Sequence, residues 1–77
     1  MPPPVDPTLA GVLRRLRTER GRSLESVARD ADISYTTLAK IEHEQTAPAW
    51  ATVRAIASAL DVTMAELGAA IEREESS

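Results

Sequence analysis

Apolar residues recur at intervals of three and four along most of the chain, which is the spacing of one face of an α-helix. Five segments carry such a stripe, and the members are Leu9, Val12, Leu13 and Leu16; Leu24, Val27, Ala28 and Ala31; Leu38 and Ile41; Trp50, Val53, Ile56, Ala57 and Leu60; and Met64, Leu67 and Ile71. The pattern predicts an all-α domain of five helices around one core. Trp50 begins the fourth stripe, and we expect it in the core rather than in contact with a ligand.

Residues that favour helix ends flank these stripes. Asp6 and Pro7 suit the N-cap and first position of the first helix, and Gly21 suits the position just after its end. Thr63 and Glu66 have the spacing of a capping box at the start of the last helix.

Seventy-seven residues are enough for one small domain. We expect a flexible N-terminal arm at residues 1–6, which contain three consecutive prolines. The domain itself is predicted over residues 7–72, and residues 73–77 are predicted to be a frayed acidic tail.

The centre of the sequence, residues 23–43, contains two short amphipathic helices separated by a sharp turn. Asp32 is expected at the corner because Asp tolerates the left-handed conformation better than most residues. Ser34 is a predicted N-cap, and Ile33 and Leu38 have the spacing of a hydrophobic staple. This arrangement is a helix-turn-helix, whose second helix is of the kind that enters a major groove.

The stretch resembles the helix-turn-helix of the lambda-repressor-like (Cro/XRE-type) family of DNA-binding regulators. The resemblance extends upstream to LRRLRTERG and downstream to Pro48 and ATVRAIASALDVTMAEL, so it covers roughly residues 8–71. The sequence departs from the family pattern at four positions: Asp32 and Glu44 stand where Gly is usual, Arg22 where an apolar residue is common, and Leu24 where many relatives carry Gln.

The resemblance implies a transcriptional regulator of repressor type that binds double-stranded DNA sequence-specifically as a homodimer in the cytoplasm, at the nucleoid. Two alternatives remain open. The chain is either a protein-interaction module, such as an antitoxin with secondary DNA binding and a protein partner, or the DNA-binding piece of a longer regulator. The acidic second half of the sequence favours the interaction module.

By their match to the family motif, three residues of the third helix are expected to reach base edges: Tyr35, Thr36 and Lys40. Expected contacts to DNA phosphates come from Ser23, Ser34, Thr37, His43, Gln45 and Thr46, with Gln45 and Thr46 using backbone N–H groups. For Tyr35 the alternative is a ring that lies over its own helix.

The resemblance also implies a structural ion pair between Arg17 and Glu42. An Arg–carboxylate pair suits a partly buried site because the planar guanidinium satisfies both carboxylate oxygens. Such a pair would lock the third helix against the first. The alternative is an exposed arginine at a helix end.

Charge is unevenly distributed along the chain. The net charge is −3 and the isoelectric point about 5.0, which alone argues against nucleic-acid binding. Residues 1–40, however, hold seven basic and five acidic side chains, whereas residues 41–77 hold two and seven. Such a molecule can present a positive face to phosphate. Alternatively, Arg14, Arg15 and Arg20 only solvate a helix.

The composition gives little support for a metal site, a catalytic site or a membrane span. There is no cysteine, so disulfides and thiolate metal sites are excluded, and His43 is the single histidine. The serines have no plausible base and orienting partner. No apolar run approaches membrane-spanning length. We therefore expect no enzyme activity, no cofactor, no bound metal and no membrane association.

The last helix offers a candidate surface for a homodimer. Met64, Gly68 and Ile71 continue its apolar stripe beyond what a small domain must bury, and glycine would let a partner helix approach closely. The alternative is that Ile71 packs onto Leu9 and Val12 of the first helix.

Overall fold

The computed structural model describes residues 6–76, which form five α-helices. Their bounds are Pro7–Glu19 (α1), Leu24–Asp30 (α2), Tyr35–Glu42 (α3), Trp50–Ala59 (α4) and Met64–Glu75 (α5). Residues 6–76 contain no β-strand, and the predicted all-α, five-helix fold is confirmed. The predicted arm, except for Asp6, lies outside the described residues.

The last helix is longer than predicted. α5 continues to Glu75, so placing the start of a frayed tail at residue 73 was wrong. In this last turn Glu74 forms a salt bridge with Arg15 of α1, and Ala70, one turn earlier, is buried against the core. Tertiary contacts of this kind extend a helix beyond its apolar stripe.

Side chains cap four of the five helix starts. The Thr8 and Leu9 N–H groups donate to Asp6 Oδ1 at 3.0 and 3.1 Å, as expected for an N-cap. The predicted capping box is present: the Thr63 N–H donates to Glu66 Oε1 at 2.9 Å, and the Glu66 N–H donates to Thr63 Oγ1 at 3.0 Å. The exception is α4, which begins after Ala49 without a side-chain cap.

The first four helices end in the same way. The residue after each C-cap has a positive φ, and the two N–H groups that follow the helix donate back to carbonyls of its last turn. The four positive-φ residues are Gly21 (63°), Asp32 (58°), Glu44 (61°) and Asp61 (59°). Asp32 confirms the expectation for the corner, and Glu44 and Asp61 adopt the same conformation although they carry a Cβ atom.

All five helices contribute to one core. Its largest fully buried side chains are Leu13, Leu38, Ile41, Ile56, Leu60, Leu67, Val12 and Val27. Trp50 was expected among them, and that expectation was wrong, because 68% of this residue is exposed. Trp50 lies on the same stripe as Val53, but it starts α4 and borders an open groove instead of a neighbouring helix. Periodicity gives the direction of a side chain, not whether another element reaches far enough to cover it.

Arg22, which replaces an apolar residue of the family pattern, is the centre of a polar cluster. Its guanidinium donates to the Ser26 hydroxyl at 2.8 and 3.1 Å and to the Asp30 carboxylate at 2.5 Å, both on α2. It also donates to the Ala59 carbonyl at the end of α4, at 2.9 Å. Arg22 therefore ties α2 to α4 with hydrogen bonds where an apolar side chain would act by packing.

The helices differ in which neighbours they pack against. α1 packs against both α3 and α5, α2 packs against α3 and α4, and α5 packs mainly against α1 and less extensively against α4. The domain measures 33 × 31 × 18 Å. Within residues 6–76, no helix combines the length and the apolar character needed to cross a membrane.

Candidate nucleic-acid interface

The turn between α2 and α3 is built by local hydrogen bonds. Asp32 takes the left-handed conformation, and the Ile33 N–H donates to the Ala28 carbonyl at 3.0 Å. Ser34 then caps α3, because its hydroxyl oxygen accepts from the Thr37 N–H at 3.0 Å. Ala28 is buried, so no large side chain separates the two helices where they meet. These contacts fix the angle at which α3 leaves the turn.

α3 has one buried face and one exposed face. Its buried residues are Leu38, Ile41 and Glu42. The exposed residues on and just after the helix are Tyr35, Thr36, Thr37, Lys40 and His43. Thr36, Lys40 and His43 are spaced i, i+4 and i+7, so they form one stripe along the helix. Tyr35, at the first position of α3, lies to one side of this stripe and is 52% exposed.

Arg17 and Glu42 make a bidentate ion pair between α1 and the end of α3. Arg17 Nε donates to Glu42 Oε2 at 2.8 Å, and Nη2 donates to Oε1 at 3.0 Å. The side chains are 14% and 4% exposed. Arg17 Nη1 also donates to the Arg22 carbonyl at 2.9 Å. The hydrogen bond to Glu42 raises the pKa of the Arg17 guanidinium above its ordinary value, against the opposing effect of burial. The pair holds the exposed stripe of α3 in a fixed orientation relative to α1.

Helix capping already uses some of the hydroxyl groups expected to contact phosphate. Ser34 Oγ accepts from the Thr37 N–H and donates to Thr37 Oγ1 at 2.8 Å, so both roles of this hydroxyl are occupied within the protein. Ser23 Oγ accepts from the Ser26 N–H at 3.0 Å as the cap of α2. The protons of the Ser23 and Thr37 hydroxyls remain able to reach an outside acceptor.

The loop after α3 differs from expectation at Gln45. Its backbone N–H donates to the Lys40 carbonyl at 2.8 Å, within the hydrogen-bonded end of α3. The expectation that this N–H group contacts phosphate was therefore wrong, because the left-handed Glu44 turns it back toward the helix. The Gln45 residue itself is exposed, and the following Thr46 is half-buried.

Several arginines of the basic half are paired within the protein. Arg17 pairs with Glu42, and Arg22 pairs with Asp30. Arg15 is near two carboxylates, Glu19 on its own helix and Glu74 on α5. Four basic side chains of the described residues 6–40 lie in no salt bridge: Arg14, Arg20, Arg29 and Lys40. The positive charge available to an anion is therefore smaller than the seven basic side chains of residues 1–40 suggest.

The three residues proposed for a dimer surface lie together. Met64, Gly68 and Ile71 line a groove of about 360 Å³. Ile71 is half-buried and packs against the core, and it lines the same groove as Leu9 of α1. Trp50, which the sequence did not suggest for this surface, is also part of the lining.

No group of three or more His, Asp or Glu side chains within residues 6–76 is arranged to hold a metal ion. Some of the acidic side chains are instead used in ion pairs and helix caps, such as Glu42 with Arg17 and Glu66 with Thr63.

Comparisons with known proteins agree with this geometry. A family model for helix-turn-helix domains matches residues 13–67. Comparison with curated proteins gives no significant match.

Three solved structures are similar to the chain over most of its length. The restriction-modification controller protein C.Esp1396I, a tetramer in complex with its natural 35 base-pair operator, has a TM-score of 0.86 at 19% identity, covering 88% of this chain and 90% of that one. The controller protein C.AhdI from Aeromonas hydrophila has a TM-score of 0.75 at 28% identity, with 79% and 92% covered. The clp gene regulator ClgR from Corynebacterium glutamicum has a TM-score of 0.85 at 18% identity, with 99% and 81% covered.

These structures share the fold of this chain, and the family model spans α2, α3, the turn between them and α4. The chain therefore belongs to the Cro/XRE-type helix-turn-helix family of DNA-binding transcriptional regulators.

Proposed function

We propose that the chain is a sequence-specific transcriptional regulator of repressor type that binds double-stranded DNA as a homodimer, with α3 in the major groove. The observation that carries the proposal is the exposed stripe of Thr36, Lys40 and His43 on a helix held in place by the Arg17–Glu42 pair. A reading helix must be rigid as well as exposed, because base recognition depends on hydrogen-bond geometry.

The residues at the start and middle of α3 make the base contacts in this proposal. Lys40 donates to O6 and N7 of guanine, the commonest acceptors for a basic side chain in the major groove. The Thr36 methyl group meets a thymine methyl, and Tyr35, at the first position of α3, reaches the base edges beside it. All three residues are exposed, and Lys40 lies in no salt bridge among the described residues.

Residues on either side of α3 position the domain on the DNA backbone. Ser23 and Thr37 donate hydroxyl protons to phosphates, and His43 and the Gln45 side chain contact the backbone at the other end. Thr46 contributes its backbone N–H group. Ser34 contributes through the cap that it makes rather than through its hydroxyl, which is already used by Thr37.

Two copies of the domain are needed because one copy presents one short reading helix and few unpaired cations. Related by a two-fold axis at α5, two copies would present their reading helices about one DNA turn apart, roughly 34 Å. Met64, Gly68 and Ile71 form the dimer surface in this proposal.

The relatives support the same role. C.Esp1396I is described with its operator as a tetramer, and ClgR is described as a regulator of clp genes. By likeness to them, we infer that this chain acts on operator DNA at the nucleoid, in the cytoplasm. The competing candidate, a protein-interaction module of antitoxin type, is favoured by the exposed acids of α5, Glu72, Glu74 and Glu75.

Selection of bound fragments from a genomic duplex library, at two salt concentrations, separates the candidates. A regulator enriches a sequence with two symmetric half-sites and loses affinity steeply with salt, because phosphate contacts release counterions. Weak binding without enrichment of any sequence would contradict the proposal and favour the interaction module.

A further inference from the structure

Trp50 is the most exposed large apolar residue among those described, and it stands at the edge of a groove that it does not fill. The groove is about 360 Å³ in volume. Its lining comes from the start of α1, the loop before α4, the first turn of α4 with Trp50 itself, and one face of α5. Asp6 is the one charged residue in this lining, and depletion of charge is typical of the centre of a protein interface.

We propose that Trp50 is the anchor of the homodimer, and that the indole of each copy packs into the groove of the other copy above Gly68. The inference rests on the dimer of the proposed function and assigns it a residue outside the predicted surface of Met64, Gly68 and Ile71. Tryptophan is the residue type most enriched among those that carry the binding energy of interfaces.

The occupant is a second copy of this chain because the projecting group and the recess lie on the same face. A two-fold interface is self-complementary, so each copy must offer both the side chain and the space that receives its partner. Trp50 is the projecting group. The space lies over Gly68, where an added Cβ atom would meet no other atom within 4 Å.

The area of the indole supports the assignment. An aromatic side chain can bury about 150–250 Å², so the 68% of Trp50 that is exposed corresponds to roughly 100–170 Å². A stable interface needs about 800 Å² from each partner. One residue would thus supply between an eighth and a fifth of the requirement, and the groove residues of α5 adjoin it directly.

Trp50 is the single tryptophan of the chain, so its fluorescence reports its own environment without ambiguity. Dilution of the full chain across the dimer–monomer transition, followed in parallel by sedimentation, should move the emission maximum to longer wavelength as dimers dissociate. Trp50→Ala should weaken dimerisation by about 30-fold, the effect expected of an energetic hot spot, and leave the helical circular dichroism of the monomer unchanged.

A pair of glycine variants tests the recess itself. Gly68→Leu fills the space over α5, and Gly11→Leu places the same side chain at an exposed glycine of α1 outside the groove; neither Cβ meets a neighbour within 4 Å. Both remove a helical glycine, so neither should destabilise the monomer. We expect Gly68→Leu to remain monomeric at concentrations where wild type and Gly11→Leu are dimers.

The outcomes separate this inference from the proposed function. Wild type that dimerises and selects an operator while its emission maximum stays constant with concentration overturns the Trp50 assignment and leaves the function standing. A short-wavelength emission maximum in the monomer would mean that the chain covers its own tryptophan. Dimerisation of Gly68→Leu at wild-type strength would mean that the recess is not used. Either result overturns the inference. Emission that follows dissociation, together with loss of the dimer in Trp50→Ala and Gly68→Leu, supports it.

Discussion

Removal of Arg17 should destabilise the fold more than any other loss of one charged side chain. Both oxygens of Glu42 accept from Arg17, and the Glu42 side chain is 4% exposed. Arg17→Met therefore leaves a buried carboxylate without its donors, which typically costs about 3–5 kcal/mol. It also removes the hydrogen bond to the Arg22 carbonyl. We expect a loss of about 4–5 kcal/mol in the free energy of unfolding.

The reverse substitution should cost less. In Glu42→Leu, Arg17 keeps its hydrogen bond to the Arg22 carbonyl, and its 14% exposed side chain can turn toward water. The expected loss is about 3 kcal/mol. The double variant should be more stable than Arg17→Met alone, because apolar residues can replace a buried ion pair at little cost. The coupling energy between the two positions should be at least about 2 kcal/mol.

Urea denaturation followed by circular dichroism measures these values, with all variants at one protein concentration because dimerisation would add to stability. A domain of this length is stable by about 4–12 kcal/mol, so Arg17→Met will remove much of it. Arg15→Met is the matched control, since Arg15 and its partners Glu19 and Glu74 are each 39–57% exposed. Its expected loss is below about 1 kcal/mol. Coupling below about 0.5 kcal/mol between Arg17 and Glu42 would refute the reasoning.

Two further predictions concern helix ends. Glu44→Gly should raise the free energy of unfolding by about 0.5–1 kcal/mol, because relief of the left-handed strain exceeds the added entropy of the unfolded chain. Asp61→Gly should raise it by less. Thermal denaturation checks both variants, and a lower stability of Glu44→Gly would contradict the explanation. The hydrogen bond from the Thr63 backbone lowers the pKa of Glu66, so its stabilising effect is complete above the ordinary value of 4.5 and is lost as the pH falls below it. Glu66→Gln should therefore lower the melting temperature at pH 6 more than at pH 3, and an equal decrease at both would show that the charge is not involved.

Local signals predicted much of the fold. Asp6, Ser34 and Thr63 were expected as caps because a cap and its target N–H lie within three residues of each other, and each makes the expected hydrogen bond. Asp32 was expected at the corner for a similarly local reason. Asp61 has the same conformation but no comparable local signal, because Asp is common in many conformations and nothing in the adjacent sequence requires a positive φ there.

Features that depend on distant elements were harder to predict. The exposure of Trp50 follows from how far α1 and α5 extend beside the first turn of α4, which no periodicity within α4 contains. The contact between Arg17 and Glu42 joins residues 25 positions apart and was expected from the family resemblance alone. At Gln45 the expected backbone contact fails because the left-handed Glu44 turns the Gln45 N–H back to the Lys40 carbonyl.

The most direct test of base reading by α3 is the binding of wild type and Lys40→Ala to the selected operator and to its single base-pair variants at fixed salt. We predict that Lys40→Ala costs about 1–3 kcal/mol on the operator and relaxes the preference at one base pair in each half-site. His43→Ala should instead weaken binding to all duplexes about equally, because a phosphate contact carries no sequence information. If Lys40→Ala changes neither the affinity nor the base preference, α3 does not read DNA in the way proposed.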